Sequence, residues 1–455
     1  MQLLKNCLLL AITLGACPCF ANKAEPDAKT VRARDLLKLL TRGEFTEFVA
    51  AADEKVKAAF SPQQAEQTWT GITTKVGPYR SEESATYAKV PGAHVVRFVC
   101  RFERGKATLR IVLDDADRLS GLWFDAVEPD APYRPPPYAD PKACREEKIT
   151  VSAGQFPLPG TLTLPTRPGP HPAVLLVHGS GPHDQDETVA ANKPFRDLAL
   201  GLASRGVAVL RYQKRTHQYP TAVKPEEWTL ETETIEDAVA AAELLRKRAD
   251  IDPKRVFLAG HSLGAFAAPF IARRDSKLAG IALLAGNARS ILDLIDEQTE
   301  YLAGLDGSIS DDDHKRLRIL REATALIRQG KTDGLTEKVG MPATYLARMH
   351  TLKPIEVAAG LTTPILIAQG GRDYQVTKTD FDLWKKTLGT RENVTFRLYD
   401  KLNHLFIPGS GPSTPAEYGK PGHVDVQVVA DLAAWIESVA ADRKTKDAPG
   451  HDETQ

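Results

Sequence analysis

Gly260-His261-Ser262-Leu263-Gly264 has the spacing G-x-S-x-G. The residues before it, Arg255 to Ala259, read as a short buried strand, and those after it, Ala265 to Ala272, mostly as a packed helix. Strand, sharp turn and helix form the setting in which this pattern works as a nucleophile elbow. The turn holds its serine in a strained conformation, and the flanking positions must lack side chains so that strand and helix can approach. The Ser262 hydroxyl is then expected at the carboxyl end of a strand, where the first amides of a helix face the reacting atoms.

Outward from the elbow, strands and helices alternate. A hairpin is expected from Glu147 to Ser152 and Leu158 to Leu164. Ala173 to Val177 is a continuous apolar run of the kind found in a strand covered on both faces. Phe195 to Arg205 reads as a helix, Val207 to Tyr212 as a strand, and Ile235 to Arg248 as a helix. Ile281 to Leu284, Pro364 to Ala368 and Val394 to Tyr399 are further strands, and Val426 to Val439 a last helix. This alternation implies an α/β fold: a mostly parallel sheet with helices on both faces. Residues 288 to 350 interrupt the rhythm with helices and no strand. Ser310 caps one of them, with Asp311, Asp312 and Asp313 in its first turn. An all-helical insert at this point is read as a lid over the site.

A serine hydroxyl is a weak nucleophile at neutral pH; it needs a base within reach, and the base needs an orienting acid. In folds that carry such an elbow the acid follows the serine in the chain and the histidine follows the acid. Asp373, in Gly370-Gly371-Arg372-Asp373, lies just past the strand ending at Ala368. His404, in Leu402-Asn403-His404, lies just past the strand ending at Tyr399. All three candidates then sit at carboxyl ends of parallel strands, where sites on open sheets gather. Asp400 belongs to the histidine's own loop, Asp380 is expected on a helix surface, and His423 reads as a loop or helix-start residue. The His261 side chain is expected to project away from the base position. One oxyanion donor should be the backbone amide of Leu263 and the other that of Ser180, in His178-Gly179-Ser180-Gly181. His178 itself is read as a structural residue that holds this loop. No metal and no cofactor is required by this chemistry, and no Cys/His spacing suggests zinc.

With these motifs in place, residues 145 to 440 resemble an exported bacterial α/β-hydrolase of the carboxylesterase or acyl-esterase type. They are similar in layout to dienelactone-hydrolase-like and prolyl-oligopeptidase-like catalytic domains. His178 to Gly181, Arg211-Tyr212-Gln213-Lys214-Arg215, the elbow, Gly370 to Asp373 and Asn403-His404 all fall in family order. Related proteins often carry aspartate where Gln213 stands, a departure expected to alter local salt bridges. The resemblance implies a serine hydrolase of carboxylic esters with a Ser262-His404-Asp373 triad and small-molecule ester substrates. A second reading keeps the fold and changes the bond, a peptidase of the prolyl-oligopeptidase kind, but the small N-terminal domain cannot supply the large propeller of that kind. A non-catalytic scaffold is argued against by the intact triad.

The N-terminal part is different in character. Helical stripes (Leu36, Leu39 and Leu40; then Phe45, Phe48 and Val49) and a helix start at Ser61-Pro62-Gln63-Gln64 precede strands at His94–Phe102, Ala107–Leu113 and Ser120–Phe124. This small α+β region, 31 to 127, resembles the NTF2-like (DUF3887-type) domain found ahead of exported hydrolases, and is read as a packing, substrate-binding or dimerisation module. Residues 128 to 144 are proline-rich and read as an extended linker. Residues 1 to 21 have the make-up of a signal peptide. Cleavage after Ala21 would give a soluble periplasmic or secreted protein; Leu14-Gly15-Ala16-Cys17 also resembles a lipobox, which would make Cys17 a lipid anchor. Cys100 and Cys144 could pair in an oxidising compartment, although two free thiols is the favoured reading. The 455 residues carry a formal net charge of zero with acids and bases interspersed. Nothing in that distribution suggests a nucleic-acid partner. The polar tail from 441 is expected to be loose.

Overall fold

The computed structural model describes residues 28–90, 92–102, 105–129, 133–219, 227–305 and 307–446, with the backbone alone for 442–446. The expected signal peptide, Cys17 and residues 447–455 of the tail lie outside these. The chain divides into two compact units between Tyr133 and Arg134.

Among the described residues the N-terminal unit shows four helices first: α1 (Ala28–Arg42), α2 (Phe45–Ala50), α3 (Glu54–Ala59) and α4 (Pro62–Val76). Four strands follow: β1 (Tyr79–Val90), β2 (Ala93–Phe102), β3 (Gly105–Leu113) and β4 (Leu119–Pro129), paired antiparallel in simple order. The start of α4 is a capping box: Ser61 accepts from the Gln64 N–H, and the Gln64 side chain accepts from the Ser61 N–H. Such a cap contributes about 1 kcal/mol. Alternation on β2 buries Val96, Phe98, Cys100 and Phe102 against Leu36, Leu40, Phe48 and Trp69 of the helices. Strand β1 has no counterpart in the sequence reading. Its residues are half-buried or exposed and show no apolar alternation. It is held as an edge strand by backbone pairing with β2, which side-chain pattern does not report. Cys100 and Cys144 are both free thiols.

The second unit begins with the hairpin β5 (Cys144–Ala153) and β6 (Phe156–Pro165), then β7 (His171–Val177), α5 (Pro194–Ala203), β8 (Ala208–Tyr212) and a one-turn α6 (Arg215–Gln218). A π-helical turn, Glu231–Ile235, leads into α7 (Glu236–Arg246), followed by β9 (Ile251–His261), α8 (Leu263–Arg274) and β10 (Ile281–Leu284). Five helices intervene: α9 (Ile291–Ala303), α10 (Asp311–Arg328), α11 (Thr336–Val339), α12 (Ala343–Thr351) and α13 (Pro354–Ala359). The described residues close with β11 (Ile365–Gly370), α14 (Lys378–Leu388), β12 (Val394–Tyr399) and α15 (Val426–Lys446). The sheet order is β12-β11-β10-β9-β7-β8-β6-β5. Pairing is parallel from β12 through β8 and antiparallel for β8–β6 and β6–β5.

The period of two along each strand builds two cores. Leu175, Leu258, Leu283 and Ile367 face one side, covered by Ala238, Ala242, Phe266, Phe381 and Trp384 of α7, α8 and α14. Val174, Leu176, Phe257, Ala259, Leu284 and Leu366 face the other, covered by Phe195, Leu202, Val429 and Ile436 of α5 and α15. The central strands are buried on both faces, so they read in sequence as unbroken apolar runs.

Three boundaries differ from the sequence reading. The helical run between β10 and β11 continues past residue 350 through α13. Helix α15 runs on to Lys446, into the stretch expected to be loose. Part of the proline-rich stretch packs on the second unit rather than standing free: the Tyr138 hydroxyl donates to the Val424 carbonyl at 2.7 Å. Among the described residues no helix is long and apolar enough to cross a membrane.

Candidate active site

Ser262 sits between β9 and α8 with φ 52° and ψ −113°. Positive φ at a residue with a Cβ costs about 1–3 kcal/mol and persists where the surroundings impose it. Here the Ser262 N–H donates to the Leu284 carbonyl of the neighbouring strand at 2.9 Å. The flanking glycines are required by close approach. A Cβ at Gly260 would lie 2.1 Å from the Gly264 carbonyl oxygen, and a Cβ at Gly264 would lie 2.1 Å from that of Val177. Leu263 is the first residue of α8, where helix geometry leaves an N–H without an intrahelical acceptor. The expected strand–turn–helix elbow is therefore present, with the Leu263 amide in the first turn of α8.

Asp373 follows β11, and its side chain is fully buried. Oδ1 accepts the N–H groups of Gln375 (2.8 Å) and Val376 (3.0 Å). Oδ2 accepts from Gln369 Nε2 (2.9 Å) and from His404 Nδ1 (2.7 Å). With donors on every side this environment suits a carboxylate, and it fixes the His404 proton on Nδ1, leaving Nε2 to accept. Asn403 shapes the histidine loop: its Oδ1 accepts from the N–H groups of Leu405 (3.0 Å) and Ile407 (3.1 Å). Ser262 and His404 line one cavity of about 70 Å³, together with Ser180, Leu263, His183 and Gln375. The helical insert supplies Ile291, Leu294, Ile295, Gln298 and Met349 to the same wall.

The loop after β7 is tied down along its length. Gly179 N–H donates to Glu187 Oε1 at 2.5 Å, and the Gly179 carbonyl accepts from Lys214 Nζ at 2.8 Å. The Ser180 carbonyl accepts from His183 Nε2 at 2.7 Å. His178 Nε2 donates to the Asp184 carbonyl at 3.1 Å, the holding role expected of it. Burial pushes the His178 imidazole down to about 3, so it is neutral.

Two expectations are corrected. His261 does not project away from the base. Its ring lies 4.7 Å from that of His404, its Nε2 donates to the His404 carbonyl at 2.9 Å, and its Nδ1 pairs with Glu187 at 3.0 Å. Burial alone would lower its basicity, but Glu187 and the His404 carbonyl raise it above the ordinary imidazole value. Burial likewise opposes a charge on Glu187, yet the charge and contact of His261 outweigh it and hold the carboxyl down at about 2. The two therefore form a buried ion pair beside the site. Asp380 is not on a surface either. It is fully buried and accepts from the N–H groups of Ala288 and Arg289, both at 2.9 Å, and from the Arg289 guanidinium. It anchors the start of the helical insert to α14. A carboxylate at the first turn of a helix looks surface-directed in sequence, and here a partner from a distant loop covers it.

His423 pairs with Asp197 at 3.1 Å, and Asp400 is an exposed residue at the end of β12. Neither lines the cavity. Sequence reasoning missed Glu187, and it gave Lys214 no role beyond its place in the Arg211–Arg215 motif. Glu187 lies in the polar run Asp184-Gln185-Asp186-Glu187, which no periodicity distinguishes from a solvated loop. Among the described residues Gln213 joins no ion pair; the acids facing Arg211, Lys214 and Arg215 are Asp186, Glu146, Glu233, Asp237 and Glu236, supplied from elsewhere in the chain. Also among the described residues, no group of three or more His, Cys, Asp or Glu side chains could hold a metal ion.

A serine on a strained elbow, a buried Asp–His pair beside it and a mostly parallel sheet define a hydrolase scaffold of one kind. The alpha/beta hydrolase family model matches residues 174–418, and the chain belongs to that family. A second family model, a protein family of unknown function (DUF3887), matches residues 33–122. The chain is 39% identical to esterase EstD of Thermotoga maritima over 399 residues, 87% of this chain and 92% of the relative. Among solved structures it is similar to Est1E of Butyrivibrio proteoclasticus (15% identity, 65% of this chain and 99% of that one, TM-score 0.43). It is also similar to an esterase of Pyrococcus furiosus (14% identity, 66% and 93%, TM-score 0.42).

Proposed function

We propose that this protein is a serine carboxylesterase that cleaves esters of small to medium acyl groups through Ser262, His404 and Asp373. The observation that carries the reading is the meeting of Ser262 and His404 in one cavity, with His404 held from behind by Asp373. Ser262 attacks the acyl carbon. His404 Nε2 takes its proton and passes it to the leaving alcohol. Asp373 orients the ring and stabilises its charged form. The negative charge on the tetrahedral intermediate is received by the amides of Leu263 and Ser180. Water, activated by the same histidine, then releases the acid. The esterase identity of the Thermotoga maritima relative supports an ester rather than an amide bond. The apolar wall of Ile291, Leu294, Ile295 and Met349, and the small cavity volume, support a short apolar acyl group.

The test is hydrolysis of a p-nitrophenyl ester series, acetate through octanoate, by wild type and Ser262→Ala, with organophosphonate labelling of Ser262. Turnover and labelling lost together in the variant are expected. Equal turnover by both proteins would refute Ser262 as the nucleophile. Residues 1 to 21 support export, to the periplasm or beyond or onto a membrane through Cys17. Cell fractionation of wild type and Cys17→Ala separates these fates.

A further inference from the structure

The basic motif after β8 plays no part in the mechanism just given, although its lysine ends in the oxyanion loop. Lys214 is buried at 3% side-chain exposure, an unusual position for a lysine unless it is paired. Its Nζ touches two acceptors, the Gly179 carbonyl at 2.8 Å and Glu233 Oε1 at 2.7 Å. Glu233 lies on the π-helical turn before α7, and its other oxygen accepts the Tyr345 hydroxyl of α12 at 2.6 Å. A chain of hydrogen bonds thus runs from the helical insert to the peptide that joins Gly179 to Ser180.

That peptide is planar and trans, so its carbonyl and its N–H point in opposite directions. Whatever holds the Gly179 carbonyl sets the direction of the Ser180 N–H. Lys214 holds the carbonyl. Glu187 holds the preceding Gly179 N–H, and His183 holds the following Ser180 carbonyl. Among the described residues no acceptor is bonded to the Ser180 N–H, and Ser180 lines the cavity with Ser262.

We propose that Lys214 is a positioning residue that fixes the Gly179–Ser180 peptide so that the Ser180 amide serves as an oxyanion donor, and that Glu233 and Tyr345 couple this peptide to the helical insert. The proposal rests on the esterase reading above. Lys214 touches neither substrate nor Ser262. It acts through orientation, so its removal is expected to weaken transition-state binding and leave ground-state binding in place.

The experiment compares wild type, Ser262→Ala, Lys214→Met and the double variant Lys214→Met/Glu233→Gln. The double variant leaves no unpaired buried carboxylate, so it carries the test if the single variant fails to fold. With p-nitrophenyl acetate, kcat is expected to fall by a factor of about 10 to 100, within reach of what one oxyanion donor supplies, with KM changed by less than about twofold. Inhibition by an aryl trifluoromethyl ketone, whose adduct places an oxyanion in the same hole, should weaken by a similar factor. A merely structural role would lower the melting temperature and the active fraction without changing the inhibition constant of the fraction that is active. If folded variants keep wild-type kcat and inhibition, Lys214 does not position the donor. If wild type and Ser262→Ala hydrolyse the ester equally, the esterase reading itself fails, a result distinct from the first.

Discussion

Replacing Asp373 by Asn tests the site at its most constrained point. The carboxylate accepts four hydrogen bonds, two on each oxygen. An asparagine can keep its oxygen toward the Gln375 and Val376 amides and turn its NH₂ toward His404 and Gln369. Gln369 still has the Val376 carbonyl at 2.7 Å, so it is not orphaned. His404 must move its proton from Nδ1 to Nε2, the atom that should accept from Ser262. The flipped asparagine would keep the histidine tautomer but leave two buried backbone amides without acceptors, at about 1–3 kcal/mol each. The first arrangement therefore wins, and the base is lost. The same change in Ser-His-Asp proteases lowers kcat by about 10⁴, or roughly 5.5 kcal/mol of barrier. The expected result here is a fall of about 10³ to 10⁴ in kcat for p-nitrophenyl acetate. The accompanying stability loss should be about 1–3 kcal/mol, read from urea unfolding. A folded Asp373→Asn protein within tenfold of wild-type kcat would refute Asp373 as the orienting acid.

Gly264→Ala should be among the most damaging small substitutions, because its methyl would lie 2.1 Å from the Val177 carbonyl oxygen and 2.8 Å from that of His178, both backbone atoms. A cost at or above the upper end of ordinary overpacking, about 3 kcal/mol, with loss of activity is expected, and an unchanged urea midpoint would contradict it. The Glu187–His261 pair predicts a pH signature. The Glu187 carboxyl is depressed in the folded state from 4.5 to about 2, so its contribution is complete above 4.5 and is lost as pH falls toward 2. His261 is raised above 6.5, so its contribution is complete below 6.5 and is lost as pH rises through its folded value. The stability difference between wild type and Glu187→Gln, followed by urea midpoint, should therefore be widest between these two ordinary values and shrink on the acid side. A difference that is flat with pH would remove the pair.

How much was legible in advance depends on which atoms carry each feature. The elbow, the parallel strands and the order serine, acid, histidine were readable because each rests on local pattern: glycines where a turn admits no side chain, and apolar runs where a strand is covered on both faces. The capping box at Ser61 was readable for the same reason, since both partners lie within one helical turn. Strand β1 was not, because an edge strand held by backbone pairing leaves no apolar period. Asp380 and His261 were misplaced because their surroundings come from residues far along the chain, Ala288 and Arg289 for one, Glu187 and His404 for the other.

By itself the amino-acid sequence determined the fold class and the three candidate catalytic residues, since these follow from short-range periodicity, turn chemistry and chain order. Tertiary structure alone decided which polar groups are buried together. The contacts that hold the oxyanion loop span 8 residues for Glu187 and 35 for Lys214, and the link from Glu233 to Tyr345 spans 112. A buried charge is tolerable only beside its partner, and that partner is chosen by how the strands stack rather than by any spacing along the chain.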